Sequence, residues 1–258
     1  MLVACLAIGV AMSLLMLGAW VVQARAGNAG WVDVFWTFGT GLVCAGAALV
    51  AGLVPWRREL VAVLLVLWCV RLGGHIAKRV AGGPEDARYA RMRAAGGFQR
   101  NMLLLVLPQG PFTLVLGIAV LYAARQPAMG LRLCDALGFT LALCALAGEA
   151  LADRQMRVFR ADPAHKGKIC DSGLWRASRH PNYLFEFLFW CAWPVLGITA
   201  HQPWSLLSLL APGLMYLTLR YASGVPPLEA AMLASRGDAY RAYQARTGAI
   251  FPRFGRGR

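Results

Sequence analysis

Charge is scarce in this chain. Only 15% of its 258 residues are Asp, Glu, Lys or Arg, where a soluble domain carries about a quarter. Several familiar patterns are also missing. None of the seven cysteines (Cys5, Cys44, Cys69, Cys134, Cys144, Cys170 and Cys191) forms a CxxC or Cys/His ligand spacing. Most fall in apolar runs, so they are expected to be small buried side chains, and no metal site is expected. The polar segments contain no nucleic-acid-binding motif, so the net charge of +14 is not assigned to nucleic acid. Anionic lipid or phosphate suits it better. There is no internal repeat, no low-complexity segment and no sign of a separate soluble domain. No Lys or Arg precedes the first apolar run, residues 1–22, and that run is long for the core of a signal peptide. It is expected to be a first spanning helix, although Ala24-Arg25-Ala26 has the look of a cleavage site.

What the chain does have is apolar residues, 59% of the total. They come in blocks of roughly 20, the length that crosses about 30 Å of hydrocarbon. The blocks run at about 1–23, 31–54, 59–77, 101–123, 132–152, 182–200 and 203–222. The fold class is therefore all-α: a polytopic membrane protein of about seven transmembrane helices, forming one membrane domain over 1–258 with a polar tail at 223–258. Only His201 and Gln202 join the last two blocks, and Pro203 opens the seventh, which predicts a tight helical hairpin. The segments 24–30, 78–100, 153–181 and the tail from 220 hold 21 of the 26 Lys and Arg residues. The opposite segments hold only Arg57, Arg58, Arg125 and Arg132, while Arg71 lies within a helix. This split predicts an outside N-terminus and a cytosolic C-terminus, which an odd number of helices satisfies. The Ala- and Arg-rich composition points to a bacterial inner membrane.

Ionisable groups in spanning helices are costly and mark candidate sites. Asp33, Arg71, His75, Glu149 and Glu186 are all predicted to lie toward the cytosolic leaflet. Arg71, His75 and Arg79 recur at i, i+4 and i+8, on one helical face. Asp33 could instead simply favour a helix N-terminus. Glu149, Asp153, Arg157 and Arg160 form a polar stripe if the fifth helix continues past 152. The stripe is either a run of salt bridges or a nucleotide face, with carboxylates to ribose hydroxyls and guanidinium groups to phosphate. The most specific segment is Gly173-Leu174-Trp175-Arg176-Ala177-Ser178-Arg179-His180-Pro181-Asn182-Tyr183-Leu184-Phe185-Glu186. His180-Pro181 suits a helix start, Asn182 and Glu186 then share a face, and Arg176, Arg179 and His180 add cationic donors.

This segment resembles the signature of the steroid 5-alpha-reductase superfamily, and most of all a bacterial branch of integral membrane proteins within it. The resemblance extends to Gly30-Trp31-Val32-Asp33-Val34-Phe35-Trp36, to Leu67 through Leu72 with His75 and Arg79, and to Glu85-Asp86-Ala87-Arg88-Tyr89. It also takes in Ala152-Asp153-Arg154-Gln155 with Phe159-Arg160, Ser223 through Glu229, and Tyr240-Arg241-Ala242-Tyr243. It implies an NADPH-dependent reductase acting on a carbon–carbon double bond of a lipophilic, steroid- or isoprenoid-like enone that enters from the bilayer. Asn182 and Glu186 match residues at the nicotinamide end, and Asp153 and Arg160 match residues at the adenosine and phosphate end. Tyr243 lies in the stretch that closes over the cofactor. Glu149, Arg157, Arg176, Arg179, His180, Tyr183 and Tyr240 complete the expected cofactor set. In two respects the chain departs from the reductases. Phe185 stands where they usually have Gly, and no early Gln-Glu pair followed by a Tyr on the next helix is evident. Asp33, Arg71 and His75 are the expected catalytic groups instead.

Two other functions fit less of the sequence. Isoprenylcysteine and phospholipid methyltransferases, which use S-adenosylmethionine, share an Arg-His-Pro-x-Tyr signature followed by an acidic C-terminal motif. Arg179-His180-Pro181-Asn182-Tyr183 and Glu229 are similar, but Leu228 and Ala230 flank Glu229, so the usual pair of adjacent acids is absent. A transporter would need its acids to line a path across the bilayer, whereas here they are predicted at one leaflet.

Overall fold

The computed structural model describes residues 1–253 and is helical throughout. The helices are α1 (Leu2–Ala26), α2 (Gly30–Ala51), α3 (Pro55–Gly82), α4 (Ala87–Ala94), α5 (Phe98–Val106), α6 (Gln109–Ala124) and α7 (Leu133–Ala161), followed by α8 (Leu174–Ala177), α9 (Pro181–Gly197), α10 (Leu210–Leu217) and α11 (Val225–Arg246). Among the described residues, five helical segments are long and apolar enough to cross a membrane: α1, α2, α3, the run Phe98–Ala124 formed by α5 and α6, and α7. The sixth apolar block forms α9, which has 17 residues with Pro194 inside it. The seventh is not one helix. It begins as a 3-10 turn at Pro203–Leu209, becomes α10, and loosens into a π-helical turn at Thr218–Ala222.

Other boundaries shift in one direction. Where hydropathy predicts ends at 77 and 152, α3 runs on to Gly82 and α7 to Ala161. Lys78, Arg79, Arg154 and Arg157 are good helix formers, so polarity ends the apolar block without ending the helix. The stretch 153–161 is therefore helix rather than loop, and most of the polar tail is α11. At the other end, Gly27 stops α1 in the left-handed conformation, φ 69°, donating its N–H to the Gln23 carbonyl, a geometry open to glycine at little cost.

The chain forms two compact units. The first contains Met1–Gly138 and Trp193–Ala211; the second contains Phe139–Ala192 and the described chain from Pro212. In the first, Met12, Met16 and Ala19 of α1 pack with Val32, Tyr89, Phe98, Met102 and Val106. Helices α2 and α3 meet at Gly41, where an added Cβ would stand 2.3 Å from the Cys69 Cβ. In lipid, where no water is expelled, such close backbone approach supplies much of the attraction. The hydroxyls of Thr40 and Thr113 hydrogen-bond at 3.0 Å.

Three arginines of the sparsely charged segments, Arg57, Arg125 and Arg132, are tied down in this unit. Arg57 and Asp135 are fully buried and form a two-pronged ion pair. Arg132 adds a bond to Asp135 at 2.7 Å and another to the Leu196 carbonyl at 2.6 Å. Arg125 donates to the Ala51 carbonyl at 2.8 Å.

In the second unit the segment before α9 runs beside the segment after α11. The N–H groups of Arg179 and His180 donate to the carbonyls of Gly248 and Ala249, at 2.9 and 3.0 Å.

Candidate functional site

The expected site residues divide between the two units. Asp33, Arg71 and His75 belong to the first. Asp33, in the first turn of α2, accepts hydrogen bonds from Arg88 at 2.7 Å and from the Tyr89 hydroxyl at 2.9 Å. Both donors come from α4. Glu85, just ahead of α4, accepts the Ala29 N–H at 3.0 Å and holds Arg93 at 2.8 Å. Asp33 thus anchors the segment after α3, and its carboxylate acts as an acceptor. Arg71 is half-buried and His75 exposed, one turn apart on α3.

The other twelve expected residues belong to the second unit. Glu149, Asp153, Arg157 and Arg160 do lie along one continuous helix, α7, and pass from a buried Glu149 to exposed arginines. The segment 173–180 is fastened to this helix. The Trp175 indole N–H donates to the Ala152 carbonyl at 3.0 Å, and the Gln155 side chain accepts the Leu174 N–H at 3.0 Å. On α9, Glu186 is buried and accepts the Trp190 indole N–H at 2.8 Å. One turn before it, the Asn182 Oδ1 is buried without a hydrogen-bond partner among the described residues. A buried amide oxygen left unbonded costs stability, which makes this atom a natural acceptor for a ligand. Phe185 packs over Gly148 of α7, where an added Cβ would stand 2.3 Å from its ring. The bulk that departs from the reductase pattern is thus met by a missing side chain on the facing helix.

Arg179, His180 and Tyr243 serve the protein itself. Arg179 donates its Nε–H to Glu229 at 2.6 Å, and its Nη1 to the Gln244 and Thr247 carbonyls. His180 meets the same Glu229 oxygen through Nε2 at 3.2 Å and stacks on the Tyr183 ring at 5.3 Å. Gln244 donates to the other Glu229 oxygen at 2.7 Å. Burial pushes the Glu229 carboxyl up, but the bonds from His180 and Arg179 outweigh it and bring it down to about 2. Burial and the Glu229 charge push the buried Tyr240 phenol up to about 12. Burial, followed by the neighbouring Tyr240, also raises Tyr243, whose hydroxyl donates to the Trp175 carbonyl. Both phenols therefore keep their protons at neutral pH.

Glu229 and Gln244 are the parts of this site missing from the expected set. The sequence marks Glu229 only as the acid of the methyltransferase-like motif; it and Asp238 are the only acids from 223 to the end of the chain. Beside this network lies a cleft of about 670 Å³ lined by Asp171, Ser172, Gly173, Arg176, Arg246 and Thr247. Among the described residues, no group of His, Cys, Asp and Glu is arranged to hold a metal ion.

The family described as "Protein of unknown function (DUF1295)" matches residues 19–247. This chain belongs to the DUF1295 family. It is a family of membrane proteins related to steroid 5-alpha-reductase. No curated protein and no solved structure matches the chain. Within this DUF1295 chain every expected site residue falls inside the matched range, as do Tyr89, Glu229, Gln244 and Arg246.

Proposed function

We propose that this chain is an NADPH-dependent reductase of a carbon–carbon double bond in a lipophilic enone, such as a steroid- or isoprenoid-like compound. We take it to cross a bacterial inner membrane seven times, with its N-terminus outside and its working face in the cytosol. The 21-to-4 split of Lys and Arg supports that orientation. One observation carries the functional reading. A single compact unit holds the buried, unpartnered Asn182 Oδ1 beside the buried Glu186 and also a cleft bearing two arginines. A volume of about 670 Å³ lies within the range of roughly 300–1,000 Å³ usual for small-molecule sites. NADPH, when bound, supplies the hydride. Asn182 and Glu186 would orient its nicotinamide end, the first as acceptor for an amide N–H. Asp153 and Arg160 would hold its adenosine and phosphate end. The stacked His180 and Tyr183 rings stiffen the opening of α9 on which Asn182 sits. The substrate would come from the bilayer.

A second reading has one observation in its favour. The Arg179–His180 pair bonds directly to Glu229, which joins the two sequence elements shared with the S-adenosylmethionine-dependent membrane methyltransferases.

Thermal stabilisation of the detergent-purified protein separates the two. NADPH at 100 times its dissociation constant is expected to add about 2.7 kcal/mol, and S-adenosylmethionine nothing. Stabilisation by S-adenosylmethionine alone would favour the methyltransferase and sink the reductase reading. Glu186→Gln and Arg160→Ala are each expected to weaken the NADPH effect.

A further inference from the structure

The cleft formed by residues 171–176 and 246–247 has a chemistry of its own. Its floor is built tightly. Gly173 adopts φ 56°, and an added Cβ there would stand 2.7 Å from the Gln155 side-chain amide. Glycine thus lets the 172–174 backbone lie directly on α7, where Gln155 accepts the Leu174 N–H. Two guanidinium groups face the cleft, against one carboxylate. Arg246 holds Asp171 at 2.6 Å, with the two side chains 58% and 53% exposed. Arg176 is exposed and makes no ion pair with an acid among the described residues. The cleft therefore keeps one excess positive charge, flanked by Ser172 and Thr247. Asp171 does not use up Arg246, because a guanidinium has five N–H donors and one edge can hold a carboxylate while the other faces the cleft.

An anion with several oxygens and about two charges matches such a site. A phosphate monoester, with three acceptor oxygens and about two negative charges, can accept paired N–H bonds from each guanidinium, as a neutral sugar edge cannot. The free nicotinamide nucleotides differ by one such group, the 2′-phosphate of NADPH. We infer that this cleft takes the 2′-phosphate, and that Arg176 and Arg246 make the site select NADPH over NADH. The inference rests on the reductase reading. Asp171 is then a positioning residue that holds Arg246 at the rim.

Affinities of NADPH and NADH, measured by thermal shift and by nucleotide fluorescence, test this in the wild-type protein and in Arg176→Ala and Arg246→Ala. Both side chains are exposed, so the unliganded variants are expected to melt close to the wild type. NADPH is expected to bind the wild type at least about tenfold more tightly than NADH. Each variant is expected to lose about tenfold in NADPH affinity while its NADH affinity stays unchanged. Inorganic phosphate is expected to weaken NADPH binding by competition, and NADH binding much less. Nucleotide binding with undiminished discrimination in both variants overturns the cleft assignment and leaves the reductase reading standing. Absence of binding by either nucleotide to the wild type overturns that reading, and the assignment with it.

Discussion

The Glu229 carboxylate accepts the Arg179 Nε–H at 2.6 Å, across 50 residues of sequence. The two side chains are 8% and 13% exposed, Arg179 the more buried. The contact ties the start of α11 to the residue two before α9. Arg179 in turn bonds the carbonyls at the far end of α11, so one guanidinium gathers both ends of that helix onto the segment that opens α9. Arg179 is expected to reach for a cofactor; in the structure its Nε–H and Nη1 serve Glu229 and the Gln244 and Thr247 carbonyls.

Removing one partner of such a pair leaves the other without compensation, at a cost of about 3 kcal/mol. Glu229→Ala is therefore expected to lower the melting temperature in detergent clearly. The double replacement Arg179→Met with Glu229→Leu is expected to be more stable than Glu229→Ala alone. Equal melting temperatures for Glu229→Ala and the wild type would show that the pair contributes nothing.

The same carboxylate imposes a pH dependence. Its pKa falls from 4.5 to about 2 on folding. A group depressed in this way stabilises the fold fully above its unfolded value, and the contribution fades as pH falls from about 4.5 to about 2. It amounts to roughly 3 kcal/mol at most. Glu229→Gln cannot titrate there. The stability gap between wild type and Glu229→Gln is expected to be constant from pH 7 to pH 5 and to narrow below that. A gap that stays constant down to pH 3 contradicts the assignment.

The Gly148–Phe185 contact predicts a change of sign. Alanine at a helical glycine normally gains about 1 kcal/mol. At 148 its Cβ would stand 2.3 Å from the Phe185 ring, and such overpacking costs about 1–3 kcal/mol. Gly148→Ala is expected to destabilise the wild type but to stabilise a Phe185→Ala background. A double-mutant cycle measures the coupling. Additive effects would mean that the two residues do not meet.

Asp135 is fully buried between Arg57 and Arg132. Asp135→Ala leaves buried guanidinium charge uncompensated, at about 3–5 kcal/mol. Yield and melting temperature in detergent are expected to fall sharply. Replacing Arg57 by Met in the same chain is expected to recover part of the loss, and no recovery would show that the pair does not act as a unit.

The sequence alone determined that this is an all-helical membrane chain, because burial in lipid depends on local composition, and composition is written along the chain in order. It also located α9, since His180-Pro181 fixes a helix start locally, and it spaced Glu149, Asp153, Arg157 and Arg160 so that a helix continuing past 152 carries them on one face. Local composition did not reveal how far α3 and α7 run, because polar helix formers extend a helix beyond its apolar block. Nor did it reveal that the seventh block breaks into 3-10, α and π turns, since hydropathy is blind to backbone geometry. Only the tertiary structure decided the partners. Asp33 meets Arg88 and Tyr89, Phe185 fills the notch at Gly148, and Glu229 gathers Arg179, His180 and Gln244. Each contact joins residues 15 to 56 positions apart. A charged side chain read in isolation can as well be a ligand for a cofactor as for its own fold, and only distance distinguishes the two.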